Sequence, residues 1–244
     1  MRDYNKEARD LADRKYAYEF DSVLRDYMMQ TFRPLLPPGR ALEMGCYHGD
    51  FTAMLGRVYT DLTVIEAAAD LIAVAKKKVR ADVRFIHQSF EKVKLRETFD
   101  AIFLMHTLEH LDKPVPVLSR LNKWLTKDGL LFLVVPNANA PSRQIAVKMR
   151  LISHNAAVAE GEARHGHRCT YTFDTLERDA RDAGLRVVHR GGVFFKPLAN
   201  YQFDQLMKTD IIGKAYLDGC YALGMQYPDL CASIYLVCGK GEAK

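Results

Sequence analysis

The sequence predicts an α/β fold: a mostly parallel sheet of seven strands with helices on both faces. Three observations carry this. Short apolar, β-branched runs alternate with amphipathic segments of helical period, the pattern of parallel strands buried on both sides. The first run passes through a glycine turn, ALEMGCYHGDFT (41–52), directly into a helix. No internal repeat or low-complexity stretch competes with this reading.

Taken in order, residues 1–33 have helical texture, with charges interleaved among Leu11, Tyr16, Tyr18, Phe20, Leu24 and Met28. PLLPPG (34–39) ends the pattern, because proline cannot continue a helix. These residues form an expected N-terminal helical arm, and 34–244 the main domain. RALEMGC (40–46) is the first strand and GDFTAMLGRVY a helix. LTVIEA (62–67) is a strand, ADLIAVAKKKV a helix, and VRFIHQSF (83–90) the third strand. FDAIFLMH (99–106) is a strand, 114–126 a helix, and GLLFLVVP (129–136) the fifth strand. The rhythm then breaks into a cap insertion at about 137–170. RQIAVKMRLISHN (143–155) reads there as a basic amphipathic helix that packs on the domain. DTLERDARDAGL is a helix, with Asp174 as N-cap and Gly184 at its end. LRVVHRGGVFF is the sixth strand. A second irregular, aromatic-rich insertion fills 196–228, and CASIYLVCGKG is the last strand.

Composition narrows the function classes. The chain has 244 residues, a net charge of +5 and 48% hydrophobic residues, which suits one domain with a sizeable core. Its Lys and Arg are spread along the chain, so they read as a solvated surface and no nucleic-acid partner is expected. Five cysteines without a CxxC pair suggest neither a disulfide framework nor a zinc site of regular spacing. No apolar run is long enough to span a bilayer and the N-terminus is charged throughout. The expectation is a soluble, cytoplasmic protein without stable membrane insertion.

In a sheet of this kind ligands bind beyond the carboxyl ends of the strands. Gly45 and Gly49 let the backbone turn tightly there, and the helix that follows offers unpaired N–H groups. The spacing is GxxxG, with Tyr47 in the middle. A dinucleotide loop needs GxGxxG, so a bulky Tyr47 disfavours a diphosphate and hence an NAD-dependent oxidoreductase. Glu43 fits badly beside phosphates and well beside a cation such as an amino group or a sulfonium. Glu66, ending the second strand, can accept hydrogen bonds from ribose hydroxyls. Gln88 or Ser89 can hold an adenine edge, with Phe90 stacked on it.

At this point the sequence resembles a family. ALEMGCYHGDFT is similar to the first motif of class I S-adenosylmethionine-dependent methyltransferases, (D/E)xGxGxG. VIEAAADLIAVA resembles the second motif, FDAIFLMHTLEHLDKP the fourth and LTKDGLLFLVVPN the fifth. The TLEHLDKP wording is closest to small-molecule methylases of the ubiquinone-biosynthesis type. The resemblance implies a Rossmann-like sheet whose last strand is antiparallel, and S-adenosyl-L-methionine as cofactor, leaving as S-adenosyl-L-homocysteine. It implies a cofactor site drawn from Glu43, Gly45, Cys46, Tyr47, Gly49, Phe51, Thr52, Glu66, Ala67, Ser89, Phe90, His106 and Thr107. Tyr47 stands where the family usually has glycine, which puts the path of the loop in question.

Methyl transfer from a sulfonium mainly needs alignment and exclusion of water. A hydroxyl acceptor also needs a base, for which His is suited near neutral pH. His165 and His167, in RHGHRCTY, stand ahead of His106 and His110 for that role. His110 reads equally as a loop-fixing hydrogen-bonding residue. A metal site built from His106, Glu109, His110 and the HGH pair is conceivable, but nothing in the spacing compels it, and no metal is expected. Arg168, Phe195, Asn200 and Tyr201 are the expected substrate-pocket residues, with gluing of the cap to the sheet as the competing role of the aromatics. Arg14, Tyr16 and Tyr18 of the arm either cover the cofactor as a lid or meet a neighbouring subunit in a homodimer. The expected function is O-methylation of a small molecule. N-methylation of an amine and a non-catalytic cofactor-binding module are the alternatives.

Overall fold

The computed structural model describes residues 19–241; Arg14, Tyr16 and Tyr18 lie outside them. Its strands are β1 (Arg40–Met44), β2 (Asp61–Glu66), β3 (Arg84–His87), β4 (Phe99–Met105), β5 (Leu125–Pro136), β6 (Arg186–Phe195) and β7 (Cys231–Gly239). They form one sheet in the order β3-β2-β1-β4-β5-β7-β6. β7 runs antiparallel to both β5 and β6, while β1 to β5 are parallel. The strand order reverses between β1 and β4, which makes the C-terminal ends of these two strands the switch point where ligands bind in open α/β sheets.

Alternate residues along each central strand feed two separate cores. Ala41, Val64, Phe103, Phe132, Val193 and Tyr235 face one side. Leu42, Ile65, Ile102, Leu104, Leu133 and Leu236 face the other. This is the period of two expected of a sheet covered on both faces. On the second face lie α4 (Pro114–Trp124) and α7 (Phe173–Asp182), through Leu118, Leu121, Phe173 and Leu176. On the first lie α1 (Glu19–Phe32) and α2 (Asp50–Leu55); α3 (Ala69–Ala75) sends its buried Ala75 into the same core.

The helix α1 is part of this core. Phe20, Leu24, Tyr27, Met28, Met29 and Phe32 are buried. Phe20 stacks on Phe203 at 4.1 Å between ring centroids, and Tyr27 on Tyr221 at 4.6 Å. Phe32 meets Phe132 and Tyr235 of the sheet.

Several local expectations are corrected. The second insertion is not irregular: it holds α8 (Asn200–Met207) and α9 (Lys214–Gln226). Gly219 and Gly224 lower the helix propensity of α9. Gly224 is nevertheless needed, because a Cβ there would stand 2.9 Å from both the Cys231 sulfur and the Phe195 nitrogen. The helix of the first insertion, α5, spans Pro141–Lys148, and a short α6 follows at Glu160–Arg164. Thr172, not Asp174, caps α7: its hydroxyl accepts from the Thr175 N–H, and Phe173 is buried as the first helical residue. β3 is shorter than the apolar run suggests, since the chain turns away after His87.

Candidate active site

A cavity of about 560 Å³ opens at the switch point, within the range of small-molecule and cofactor sites. Its floor is the loop after β1. Gly45 has φ +84° and its N–H donates to the Ile65 carbonyl at 2.8 Å, tying the loop to β2. A Cβ on Gly45 would stand 2.9 Å from the Thr107 hydroxyl oxygen, so glycine keeps this end of the floor open. Gly49 has φ +82°, and a Cβ there would lie 2.7 Å from the Ala75 Cα. That glycine serves close packing of loop on helix and does not itself line the cavity.

Tyr47 has φ +47°. It holds the left-handed conformation for which a glycine is otherwise used, at a cost of roughly 1–2 kcal/mol. The backbone therefore turns as a glycine loop does, and the difference lies in the side chain. The Tyr47 ring stacks on His48 at 3.8 Å, and both line the wall.

Two carboxylates stand under this loop. Glu66 accepts the Cys46 N–H at 3.1 Å through one oxygen and the Ala68 N–H at 3.0 Å through the other. It locks the ends of β1 and β2 together, and each oxygen retains acceptor capacity toward the cavity. Glu43 is 1% exposed and its Oε2 has no hydrogen-bond partner. Burial, reinforced by the negative Glu66, pushes its carboxyl up to about 8. A buried carboxyl with one oxygen lacking a partner, beside a second acid, favours a cationic ligand. The residues present thus fit a cofactor that carries ribose hydroxyls and a positive charge.

The other end of the cavity is histidine-rich. His106 follows β4 with φ +47°; its N–H still donates to Val134 O at 2.9 Å, and its ring Nε2 lies 2.9 Å from the Ser233 hydroxyl. Burial, with the nearby His167, Arg25 and Lys196, holds this imidazole well below its usual range. His110 sits in the 3₁₀ turn Leu108–His110, and its ring meets that of His167 edge-on at 4.6 Å. His167 is pushed down chiefly by burial. His165 Nδ1 bonds to the Gly161 carbonyl; a carbonyl only accepts, so Nδ1 is the donor there. Behind them Glu109 is fully buried, with no hydrogen-bond partner for either oxygen, and burial pushes it up to about 8.

All four histidines face one cavity with Glu43, Gly45, Cys46, Tyr47, Phe51, Glu66, Ala67, Phe90, Thr107 and Asn200. Gly49, Thr52, Ser89, Arg168, Phe195 and Tyr201 lie off its wall. Thr52 is buried beneath the loop, Arg168 pairs with Asp112 at 3.3 Å, and Tyr201 is exposed. Sequence reasoning missed Asp21 and Arg25 of α1, Glu162 of α6, and Ser233 of β7; Lys196 also lines the wall. Lys196 donates to Asn200, and Asn200 donates to Asp21, each at 2.8 Å. Only tertiary folding brings these together, and the one local signal was the polar pair inside an aromatic stretch, KPLAN.

A family model described as a methyltransferase domain matches residues 15–190. The ubiquinone biosynthesis O-methyltransferase of Schizosaccharomyces pombe, a mitochondrial protein, is 27% identical over 53% of this chain and 50% of its own length. The enzyme of the same name from Xanthomonas oryzae pv. oryzae is 27% identical over 76% of this chain and 78% of its own. The match thus spans about half the length of the first of these relatives. The N-methyltransferase NodS of Bradyrhizobium japonicum, solved with S-adenosyl-L-homocysteine, shares the fold with a TM-score of 0.64 at 16% identity, over 98% of each chain.

Proposed function

This chain belongs to the methyltransferase-domain family, and we propose that it moves a methyl group from S-adenosyl-L-methionine to a hydroxyl of a small molecule. The observation that carries the reading is the polarity of one continuous cavity. Glu43 and Glu66 reach it from β1 and β2 beside the glycine loop, and His106, His110, His165 and His167 reach it from the turn after β4 and from the cap. Such a cavity aligns a cationic donor against an acceptor that has a proton to lose.

When bound, the cofactor supplies an activated methyl group and leaves as S-adenosyl-L-homocysteine. Glu66 would hold the ribose hydroxyls with the acceptor capacity left by its two backbone bonds. Glu43 would face the cationic amino-acid end, with Gly45, Cys46 and Tyr47 beneath it. Phe90 would cover the adenine and Arg25 the carboxylate. At the acceptor end His165 Nε2 takes the hydroxyl proton. His106, held neutral by burial, orients the acceptor with Ser233.

The cap keeps water out. Arg143 ties it together by donating to the carbonyls of Asn155 and Ala157 and to the Glu162 carboxylate.

Calorimetry with S-adenosyl-L-methionine and with NAD tests the donor: binding of NAD alone overturns the reading. Transfer of a labelled methyl group to parallel panels of phenols and amines tests the acceptor, and label on amines only would replace O- by N-methylation. No transfer to either panel despite donor binding favours a non-catalytic module. Loss of turnover in His165→Ala with donor binding unchanged is the expected signature of the base. Turnover that survives the change removes His165 from that role.

A further inference from the structure

The acceptor end holds a group that methyl transfer alone does not account for. Glu109 is 0% exposed and neither of its oxygens has a hydrogen-bond partner. Leaving a buried carboxylate unsatisfied is among the costlier arrangements in a fold. One donor atom each from Glu109, His110 and His167 lies within 4.8 Å of the others. Two backbone bonds fix this approach. The Arg168 N–H donates to the Glu109 carbonyl at 2.7 Å, stitching the HGHR loop to the turn after β4, and the His110 N–H donates to the Thr107 carbonyl at 3.1 Å. His106 Nδ1 stands 3.9 Å from Glu109 Oε1 as a neighbouring imidazole.

We propose that Glu109, His110 and His167 bind one divalent transition-metal ion at the acceptor end of the cavity. Ligands held roughly 2.0–2.2 Å from a common ion lie roughly 3–4 Å apart, so small side-chain rotations close the cluster. Two imidazole nitrogens and one carboxylate oxygen suit Zn²⁺, Co²⁺, Mn²⁺ or Fe²⁺. Mg²⁺ and Ca²⁺ prefer oxygen donors. Three protein ligands leave coordination positions open, the arrangement of a reactive rather than a structural site. His110 and His167 form cavity wall while Glu109 lies behind it, so the open positions face the cavity. That the ion meets an acceptor hydroxyl there rests on the reading of the site as a methyltransferase; the binding of the ion does not.

The untagged full chain, stripped by dialysis against a chelator, is titrated with Co²⁺ alone and followed by visible d–d absorption. The expected result is saturation at one Co²⁺ per chain, with displacement by Zn²⁺. Glu109→Gln and His167→Asn should each weaken binding by more than about tenfold, the loss typical even of an outer partner of a metal site. Glu109→Gln keeps the shape of the buried side chain, and His167→Asn changes a loop residue outside the cores; circular dichroism melts verify both folds. No d–d absorption, or Co²⁺ affinity unchanged in both folded variants, overturns the site. Calorimetry with S-adenosyl-L-methionine on the same samples separates the two readings. Donor binding without Co²⁺ binding overturns the metal site alone, and Co²⁺ binding without donor binding overturns the methyltransferase reading alone.

Discussion

Glu43→Gln tests whether the glycine loop is built around a buried charge. Glu43 is 1% exposed, and its carboxyl is pushed from 4.5 up to about 8 by burial and by Glu66. A carboxyl whose folded value is raised opposes folding once it must ionise. The penalty is small near the unfolded value of about 4.5, grows as pH rises, and is complete above about 8. Linkage arithmetic puts it at under about 1 kcal/mol at pH 5 and about 4 kcal/mol at pH 8. Glutamine does not titrate, and any cost of burying its amide is the same at both pH values. The stability of Glu43→Gln relative to the unchanged chain should therefore rise by about 3 kcal/mol between pH 5 and pH 8. At roughly 2–4 °C per kcal/mol for a chain of this size, the Tm difference shifts by about 10 °C in the variant's favour. Thermal melts of the ligand-free protein at the two pH values read this directly. Calorimetry at pH 8 should show the opposite sign for the cofactor, with binding weakened by about tenfold or more, about 1.4 kcal/mol. A Tm difference that does not move with pH, or cofactor affinity unchanged in Glu43→Gln, would refute the reasoning.

Glu66→Ala removes the shared acceptor of the Cys46 and Ala68 N–H groups. It should cost about 2–6 kcal/mol in urea denaturation, at about 1–3 kcal/mol per orphaned buried group, and lower cofactor affinity in the same preparation. Gly49→Ala forces a Cβ to 2.7 Å from the Ala75 backbone at a φ of +82°. A loss of more than about 2 kcal/mol is expected from the clash and the left-handed strain together, and a neutral effect would contradict the loop geometry. Phe20→Ala empties a fully buried position stacked on Phe203. It should cost about 3–5 kcal/mol, and a loss under 1 kcal/mol would show that α1 is not part of the core.

What could be read from the sequence was whatever a short stretch encodes by itself. The strand after the PPG break, the glycine turn, the acid ending β2 and the TLEH turn after β4 each sit within a dozen residues, and the cavity gathers residues from all of them. What escaped depended on distance or on competing roles. Asp21 and Arg25 reach the cavity wall only because Phe20 and Tyr27 anchor α1 against α8 and α9. The helix α9 was hidden by its two glycines, of which Gly224 is required by packing on Cys231 and β6 while Gly219 has open space around it. Asp174 was mistaken for a cap because an acid is equally at home in a first helical turn, and only the Thr172 hydroxyl bond decides between them. The size of Tyr47 argues against a diphosphate in the loop. That it would adopt a glycine-like φ was beyond any local rule.

The local costs in this fold are not scattered. Four described residues other than glycine have positive φ: Tyr47, His106, Phe194 and Arg150. Three of these stand at the carboxyl ends of β1, β4 and β6, where the parallel strands point. Tyr47 and His106 line the cavity, and Phe194 precedes Lys196, which does. Glu43 and Glu109, the two carboxylates pushed up to about 8, follow the same geography. Each left-handed residue costs roughly 1–2 kcal/mol, and strain of this kind persists only where surrounding structure over-determines it. Here the surroundings are two well-packed cores, and Phe194 is itself a fully buried member of the first. Aromatic stacks such as Phe103 on Phe132 hold the sheet rigid beneath the loops. The free chain is therefore held below the stability its cores would allow. The difference is concentrated where a cation at Glu43 and a metal ion at Glu109 would relieve it. Ligand binding should consequently stabilise this protein in two separable increments, one at each end of the cavity, and Glu43→Gln should diminish only the first.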